Sequence, residues 1–180
     1  MKRYILTGTP GSGKTTILHR LAALGHATVE EAATAVIAAE QARGEDEPWT
    51  RPSFIDQIVA LQRRASLLPP AARRGWQFFD RSPVCTHALS TFAGHPISPA
   101  LSAEIERIIR EGVYERDVFF VRNLGFCEPT AARRIGFEES LVFERLHEET
   151  YRAFGYRIVD VPAGPVDGRV AAIEAAAGAA

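Results

Sequence analysis

The residues most plainly fitted for chemistry lie near the start of the chain: Gly8-Thr9-Pro10-Gly11-Ser12-Gly13-Lys14-Thr15, with Thr16 directly behind. The spacing is G-x-x-x-x-G-K-[ST], a loop that cradles phosphate. Its glycines let successive N–H groups turn toward phosphate oxygens where a side chain would block the approach. The helix expected next adds the partial positive charge of its N-terminus. Lys14 would supply a full charge to the outer phosphates, and the Thr15 hydroxyl is the expected Mg²⁺ ligand. The implied cofactors are ATP, or another nucleoside triphosphate, and Mg²⁺.

Further candidates follow other strand-like runs. Asp80-Arg81 comes directly after Trp76-Gln77-Phe78-Phe79. Asp80 there can hold Mg²⁺ or take a proton from an attacking hydroxyl, and Arg81 can clamp phosphate charge. Alternatively, Asp80 only caps the turn before Ser82. Glu30 and Glu31 follow His26-Ala27-Thr28-Val29; they suit a hydroxyl-bearing substrate or, equally, the first turn of a helix. Arg133 and Arg134 lie in an aperiodic stretch from 123 to 136 and are candidates for a lid over the phosphates. Trp49, Phe54 and Gln57 are candidates for a substrate cleft, with Trp49 in an exposed acidic turn. The histidines His19, His26, His87, His95 and His147 show no pairing with a cysteine or serine nucleophile, so surface or packing roles are expected. Cys85 and Cys127 have no C-x-x-C spacing, which argues against a disulfide or zinc site.

Positioning these groups requires strands that alternate with helices. Arg3 to Thr7, His26 to Val29, Trp76 to Asp80, Val118 to Val121 and Arg157 to Val161 read as strands. Between them, apolar residues recur at helical spacing: Ile17, Leu18 and Leu21; Phe54, Ile58 and Leu61; Leu101, Ile105 and Ile108; Phe143 and Leu146. Ser82-Pro83 and Ser98-Pro99 are N-cap and first-turn pairs. Pro162 to Gly168 reads as a loop leading to an alanine-rich helix that frays. Alternation of this kind predicts an α/β domain with a parallel sheet covered on both faces. Its ligands would sit beyond the carboxyl ends of the strands, where Gly8, Glu30-Glu31, Asp80, Arg122-Asn123 and Pro162 gather.

The 180 residues, with 46% hydrophobic and 24% charged, are the composition of one soluble domain spanning 1–180. A net charge of −1 gives no sign of a nucleic-acid surface. No apolar run approaches the roughly 18 residues of a membrane span. With no signal-peptide pattern, the cytoplasm is the expected compartment.

The run T-G-T-P-G-S-G-K-T-T, then Glu30-Glu31, then F-F-D-R-S-P at 78–83, resembles the small kinase-like P-loop ATPases of the AAA-domain type. That family includes the ribosylnicotinamide-kinase portion of the bacterial NAD-biosynthesis regulator. Arg133-Arg134, His147, Tyr151, Gly155-Tyr156, Val161-Pro162 and Arg169 continue the likeness. The resemblance implies a three-layer P-loop NTPase fold, nucleoside/nucleotide kinase-like, with a five-stranded parallel sheet. It implies Lys14 and Thr15 on phosphates and Mg²⁺, Asp80 near the acceptor, lid arginines at Arg133 or Arg134, and the loop from Pro162 beside the adenine. One departure is Thr34, where related sequences often carry an arginine. N-K-x-D, L-S-G-G-Q and D-G-F-P-R are absent, and Asp80 is followed by Arg81 rather than the glutamate of a Walker B pair. Two functions fit: a kinase transferring the ATP γ-phosphate to a nucleoside-like or other small metabolite, or an ATP-binding regulatory module whose nucleotide state controls a protein partner.

Overall fold

The computed structural model describes residues 1–70, 75–125 and 136–179. Among the described residues five strands form one sheet: β1 (Arg3–Thr7), β2 (Ala27–Val29), β3 (Gln77–Asp80), β4 (Asp117–Val121) and β5 (Arg157–Val161). Their order is β2-β3-β1-β4-β5, with every pairing parallel. Seven α-helices accompany them: α1 (Lys14–Ala23), α2 (Ala32–Gln41), α3 (Ser53–Leu67), α4 (Pro83–Phe92), α5 (Pro99–Arg110), α6 (Phe137–Ala153) and α7 (Val166–Ala179).

The central strands are apolar at successive positions because both faces are covered. Tyr4 and Leu6 of β1 point into a core with Phe78, Phe119, Leu21 of α1 and Ile173 of α7. Ile5, between them, points the other way, toward Phe79, Val84, Tyr114 and Tyr151. A third cluster joins α2, α3 and α5 through Ile37, Phe54, Ile58 and Leu101. The layered parallel sheet expected from the alternation is the fold observed.

Several local expectations need correction. The terminal helix begins at Val166, so Gly168 lies inside it rather than ending a loop. It is docked rather than frayed: Val170, Ile173 and Ala177 are buried, and the Tyr4 hydroxyl donates to the Ala177 carbonyl at 3.0 Å. Ser98 caps α5 as expected, accepting from the Leu101 N–H. Ser82 is the N-cap residue of α4 with Pro83 opening the helix, as expected, but its side chain makes no capping bond, its Oγ lying 2.8 Å from the Tyr151 hydroxyl. Trp49 is half-buried against the third cluster, since the acidic turn folds back over α2 and α3. No described helix is long and apolar enough to cross a membrane.

Candidate phosphate site and adjoining cavity

β1 runs without a break into the glycine-rich loop, and the loop into α1. Gly8 has φ 134°, and a β-carbon there would lie 2.2 Å from the Val121 carbonyl oxygen. Strand β4 therefore presses on the loop closely enough to exclude any side chain. Gly13 adopts φ 83° as the residue preceding α1, which turns the N-terminus of that helix toward the loop. Lys14 is buried and donates back to the Gly8 and Thr9 carbonyls at 3.1 and 2.8 Å. Burial, with repulsion from Arg81, lowers its pKa to about 8. From behind, Arg169 of α7 donates to the Ser12 carbonyl at 2.8 Å.

The next element is an acid–base cluster at the ends of β2 and β3. Asp80 is 5% exposed, and its Oδ1 is buried without a hydrogen-bond partner. Burial pushes its carboxyl above the ordinary aspartate range, against the pull of Lys14. Arg81 follows with φ 72°, a left-handed conformation that non-glycine residues rarely adopt. The turn sends its side chain inward, where Nε lies 2.6 Å from Glu31 Oε1. Glu31 precedes α2 but makes no capping bond to it. Its second oxygen, Oε2, accepts instead from Thr34 Oγ1 at 3.3 Å. Although burial opposes its charge, the Arg81 guanidinium and Lys14 hold Glu31 below the ordinary glutamate range. Two neighbouring carboxylates are thus driven in opposite directions, one toward the acid and one toward the anion. Glu30 lines the smaller of two chambers at this site together with His19, its Oε1 3.6 Å from His19 Nε2 and both side chains mostly exposed.

Sequence spacing gave no pairing of Cys85 with a histidine, but the fold makes one. Cys85 Sγ lies 2.8 Å from His147 Nε2, and Arg81 Nη1 donates to Sγ at 3.0 Å. The partners come from α4 and α6, far apart in the chain, so no local motif could reveal them. Burial raises the Cys85 pKa and, with Arg81 adding repulsion, keeps His147 well below its ordinary value. Both groups are therefore neutral. Cys85 is a free thiol; Cys127 lies outside the described residues.

A cavity of about 550 Å³ opens beside the loop. Gly13, Lys14 and Thr15 form one end, and Glu31, Asp80 and Arg81 its floor. Trp49, Phe54, Ile58 and Phe143 supply apolar walls. A second chamber of about 450 Å³ shares Thr15, Glu31, Gln62, Asp80 and Arg81, and extends beneath α2 and α3. The polar side chain of α3 in both chambers is Gln62, whose Oε1 accepts from Thr86 Oγ1 at 3.0 Å. Gln57 is half-buried elsewhere on α3 and lines neither chamber. Pro10 and Gly11 line the larger chamber, whereas Gly8, Thr9 and Ser12 are buried in the loop's inner side. Thr16 is exposed on α1, and Pro162, also exposed, lines neither chamber. Arg133 and Arg134 lie outside the described residues.

The arrangement fits a magnesium nucleotide. Thr15 and the unpartnered Asp80 Oδ1 present hard oxygens beside the phosphate loop. Among the described residues no group of three or more His, Cys, Asp or Glu side chains could hold a metal ion. Mg²⁺ here would thus depend on phosphate oxygens for part of its coordination, its usual habit.

Comparison with solved structures gives the same fold. A crystal structure of NadR protein in complex with NR superposes with TM-score 0.71 at 16% identity, covering 98% of this chain and 51% of that one. NadR in complex with NAD and AMP-PNP gives 0.70 at 18% identity, with coverages of 98% and 49%. The chain thus spans about half the length of these NadR chains. Deoxyadenosine kinase from M. mycoides with bound dCTP gives 0.60 at 17% identity over the full length of both chains. No curated protein sequence matches significantly. The sequence model of one family does match, over residues 3–169, nearly the whole chain. The chain therefore belongs to the AAA domain family.

Proposed function

We propose that the protein is a small-molecule kinase that transfers the ATP γ-phosphate to a hydroxyl of a nucleoside-like or other small metabolite. The observation that carries this reading is the cavity itself. Beyond the end that meets the phosphate loop, it continues over Glu31 and Arg81 into an aromatic-walled chamber, room that an ATPase without an acceptor does not need. The nucleoside and nucleotide ligands of the NadR and deoxyadenosine kinase structures support the choice of acceptor class.

Lys14 and the loop N–H groups would hold the β- and γ-phosphates, Lys14 exchanging two loop carbonyls for phosphate oxygens. Thr15 and Asp80 would hold Mg²⁺, which when bound supplies charge neutralisation at the transferring group. Glu31, held ionised by Arg81, would be available to accept the proton of the attacking hydroxyl, while Asp80 would serve the metal. Arg81 then works chiefly as the counter-ion that aims Glu31.

The test is ATP–Mg²⁺ turnover measured against a panel of nucleosides, sugars and vitamins, with phosphorylated product identified by mass spectrometry. One acceptor should raise ADP formation sharply and gain a phosphate. Slow ATP hydrolysis indifferent to every acceptor, with a partner protein bound only in one nucleotide state, would replace the kinase with a regulatory ATPase.

A further inference from the structure

The kinase reading leaves unexplained why a thiol and an imidazole are buried together behind Arg81. Arg81 enters the cavity from a left-handed backbone position, so its placement is not a relaxed default. Nε is ion-paired with Glu31 Oε1 without hydrogen-bond alignment, and Nη1 meets the thiol and the imidazole. That second nitrogen is 3.0 Å from Cys85 Sγ and 3.3 Å from His147 Nε2. Cys85, Arg81 and His147 are at most 9% exposed, so water is a poor substitute partner here.

The tautomer of His147 follows from its other nitrogen. Nδ1 lies 2.8 Å from the Phe143 carbonyl, which can only accept, so Nδ1 carries the proton. Nε2 is then a lone pair, directed at the Cys85 S–H and the Arg81 Nη1–H. Phe143, one helical turn earlier on α6, also packs its ring edge-on against the imidazole at 4.0 Å between centroids and forms part of the cavity wall. A contiguous series of contacts thus runs from the cavity wall through Phe143 and His147 to Arg81, and from Arg81 to Glu31.

We propose that His147 is a positioning residue for phosphoryl transfer: its Nε2 lone pair, shared with Cys85, fixes the far end of Arg81 so that the guanidinium stays paired with Glu31. The proposal rests on the kinase reading for its kinetic consequence, but not for its geometry. His147 touches neither phosphate loop nor cavity, and it acts only through Arg81. A small misplacement of the Glu31–Arg81 pair is expected to slow the chemical step on the order of 10- to 100-fold, the size of effect remote displacements produce. ATP affinity, set mainly at the loop, should stay within about twofold.

The experiment compares His147→Leu, which removes the lone pair at similar volume, with His147→Gln, whose side-chain oxygen can accept at the Nε2 position. Two readouts are taken. The first is the Arg81 Nε–H signal in ¹⁵N-edited NMR, assigned with Arg81→Lys; burial of Nε beside Glu31 slows its exchange with water. The second is kcat and KM with the acceptor that the panel identifies. The Leu variant should lose the slow-exchanging signal and lose kcat with KM for ATP unchanged, and the Gln variant should recover much of both. If His147→Leu does not fold, Cys85→Val removes the shared partner, and the same partial losses are expected. A folded Leu variant with the wild-type signal and kcat overturns the proposal. So does a Gln variant as impaired as Leu, which would make the residue mere packing. Wild-type protein that phosphorylates nothing in the panel sinks the kinase reading instead, and the Arg81 signal still decides the role of His147.

Discussion

Glu31 Oε1 and Arg81 Nε are 2.6 Å apart, while Asp80, the residue beside Arg81, leaves Oδ1 without a partner. Of these two neighbouring carboxylates in the cavity, only Glu31 makes an ion pair with the guanidinium. Burial alone would raise both pKa values; the ion pair reverses the outcome at Glu31 and leaves Asp80 raised. On the proposed kinase reading, that asymmetry would divide the work, with Glu31 as base and Asp80 as metal ligand.

Glu31→Gln should therefore lower acceptor-dependent turnover by roughly 10²–10⁴-fold, the range for losing a general base, with ATP affinity preserved. Asp80→Asn should also slow turnover, but with a marked rise in the Mg²⁺ concentration needed for half-maximal rate. Steady-state kinetics at varied Mg²⁺, with ATP titration by calorimetry, separates the two. Equal magnesium dependence in both variants would remove the assignment.

Lys14 gives a pH prediction. Its pKa is lowered to about 8 in the nucleotide-free protein by burial and by Arg81. Bound phosphate, an anion, favours the charged ammonium and raises that value. Between the free and the bound pKa, binding must take up a proton, so ATP affinity falls as pH rises through about 8. Calorimetry at pH 8.5 in buffers of different ionisation enthalpy should show proton uptake that fades at pH 6.5. Lys14→Ala should abolish both the uptake and most of the phosphate-dependent affinity while leaving the protein folded.

Gly8→Ala tests the contact between the loop and β4. A residue with a β-carbon at φ 134° costs ~1–3 kcal/mol in backbone strain alone. Here the new atom would also meet the Val121 carbonyl oxygen at 2.2 Å, and backbone on both sides leaves little room to yield. Urea unfolding should show a loss at least at the top of that range. Gly25→Ala, with positive φ but nothing within 4 Å of its β-carbon, should show the strain without the clash.

Legibility from sequence divided along the range of the interactions. The loop, its lysine and the strand-helix alternation are local patterns, and each stood where spacing placed it. Asp80 was found because a carboxylate ending an apolar run is conspicuous. Ser82 stands at the N-cap position that its spacing predicts, but the partners of its hydroxyl and of the Glu31 carboxylate, Tyr151 and Arg81, are supplied only by folding. Gln57 stood out on α3, but the helix turns Gln62 to the cavity instead. The Cys85–His147 pair had no signal, since α4 and α6 meet only in three dimensions. The docked α7 was masked by its alanines, whose small side chains suit close packing as well as fraying.

Arg169 supplies the last prediction. It sits on α7, buried, with Nη1 donating to the Ser12 carbonyl at 2.8 Å and Nη2 to the Arg122 carbonyl at 3.1 Å. Burial lowers its pKa, so its charge is retained at some cost. A β-carbon on Gly13 would lie 3.2 Å from Nη1, which puts the guanidinium directly behind the turn that opens α1. From there it braces the loop and adds positive potential where phosphate would bind. Arg169→Met keeps the apolar stem and removes the donors. Leaving the buried Ser12 carbonyl and the partly buried Arg122 carbonyl short of a donor should cost about 1–3 kcal/mol, read as a lower melting temperature. ATP affinity should fall on the order of tenfold, the equivalent of ~1.4 kcal/mol, with kcat at saturating ATP close to wild type. That pattern marks binding lost equally from ground and transition states. An Arg169→Met protein that binds ATP normally but melts earlier would confine the residue to anchoring α7.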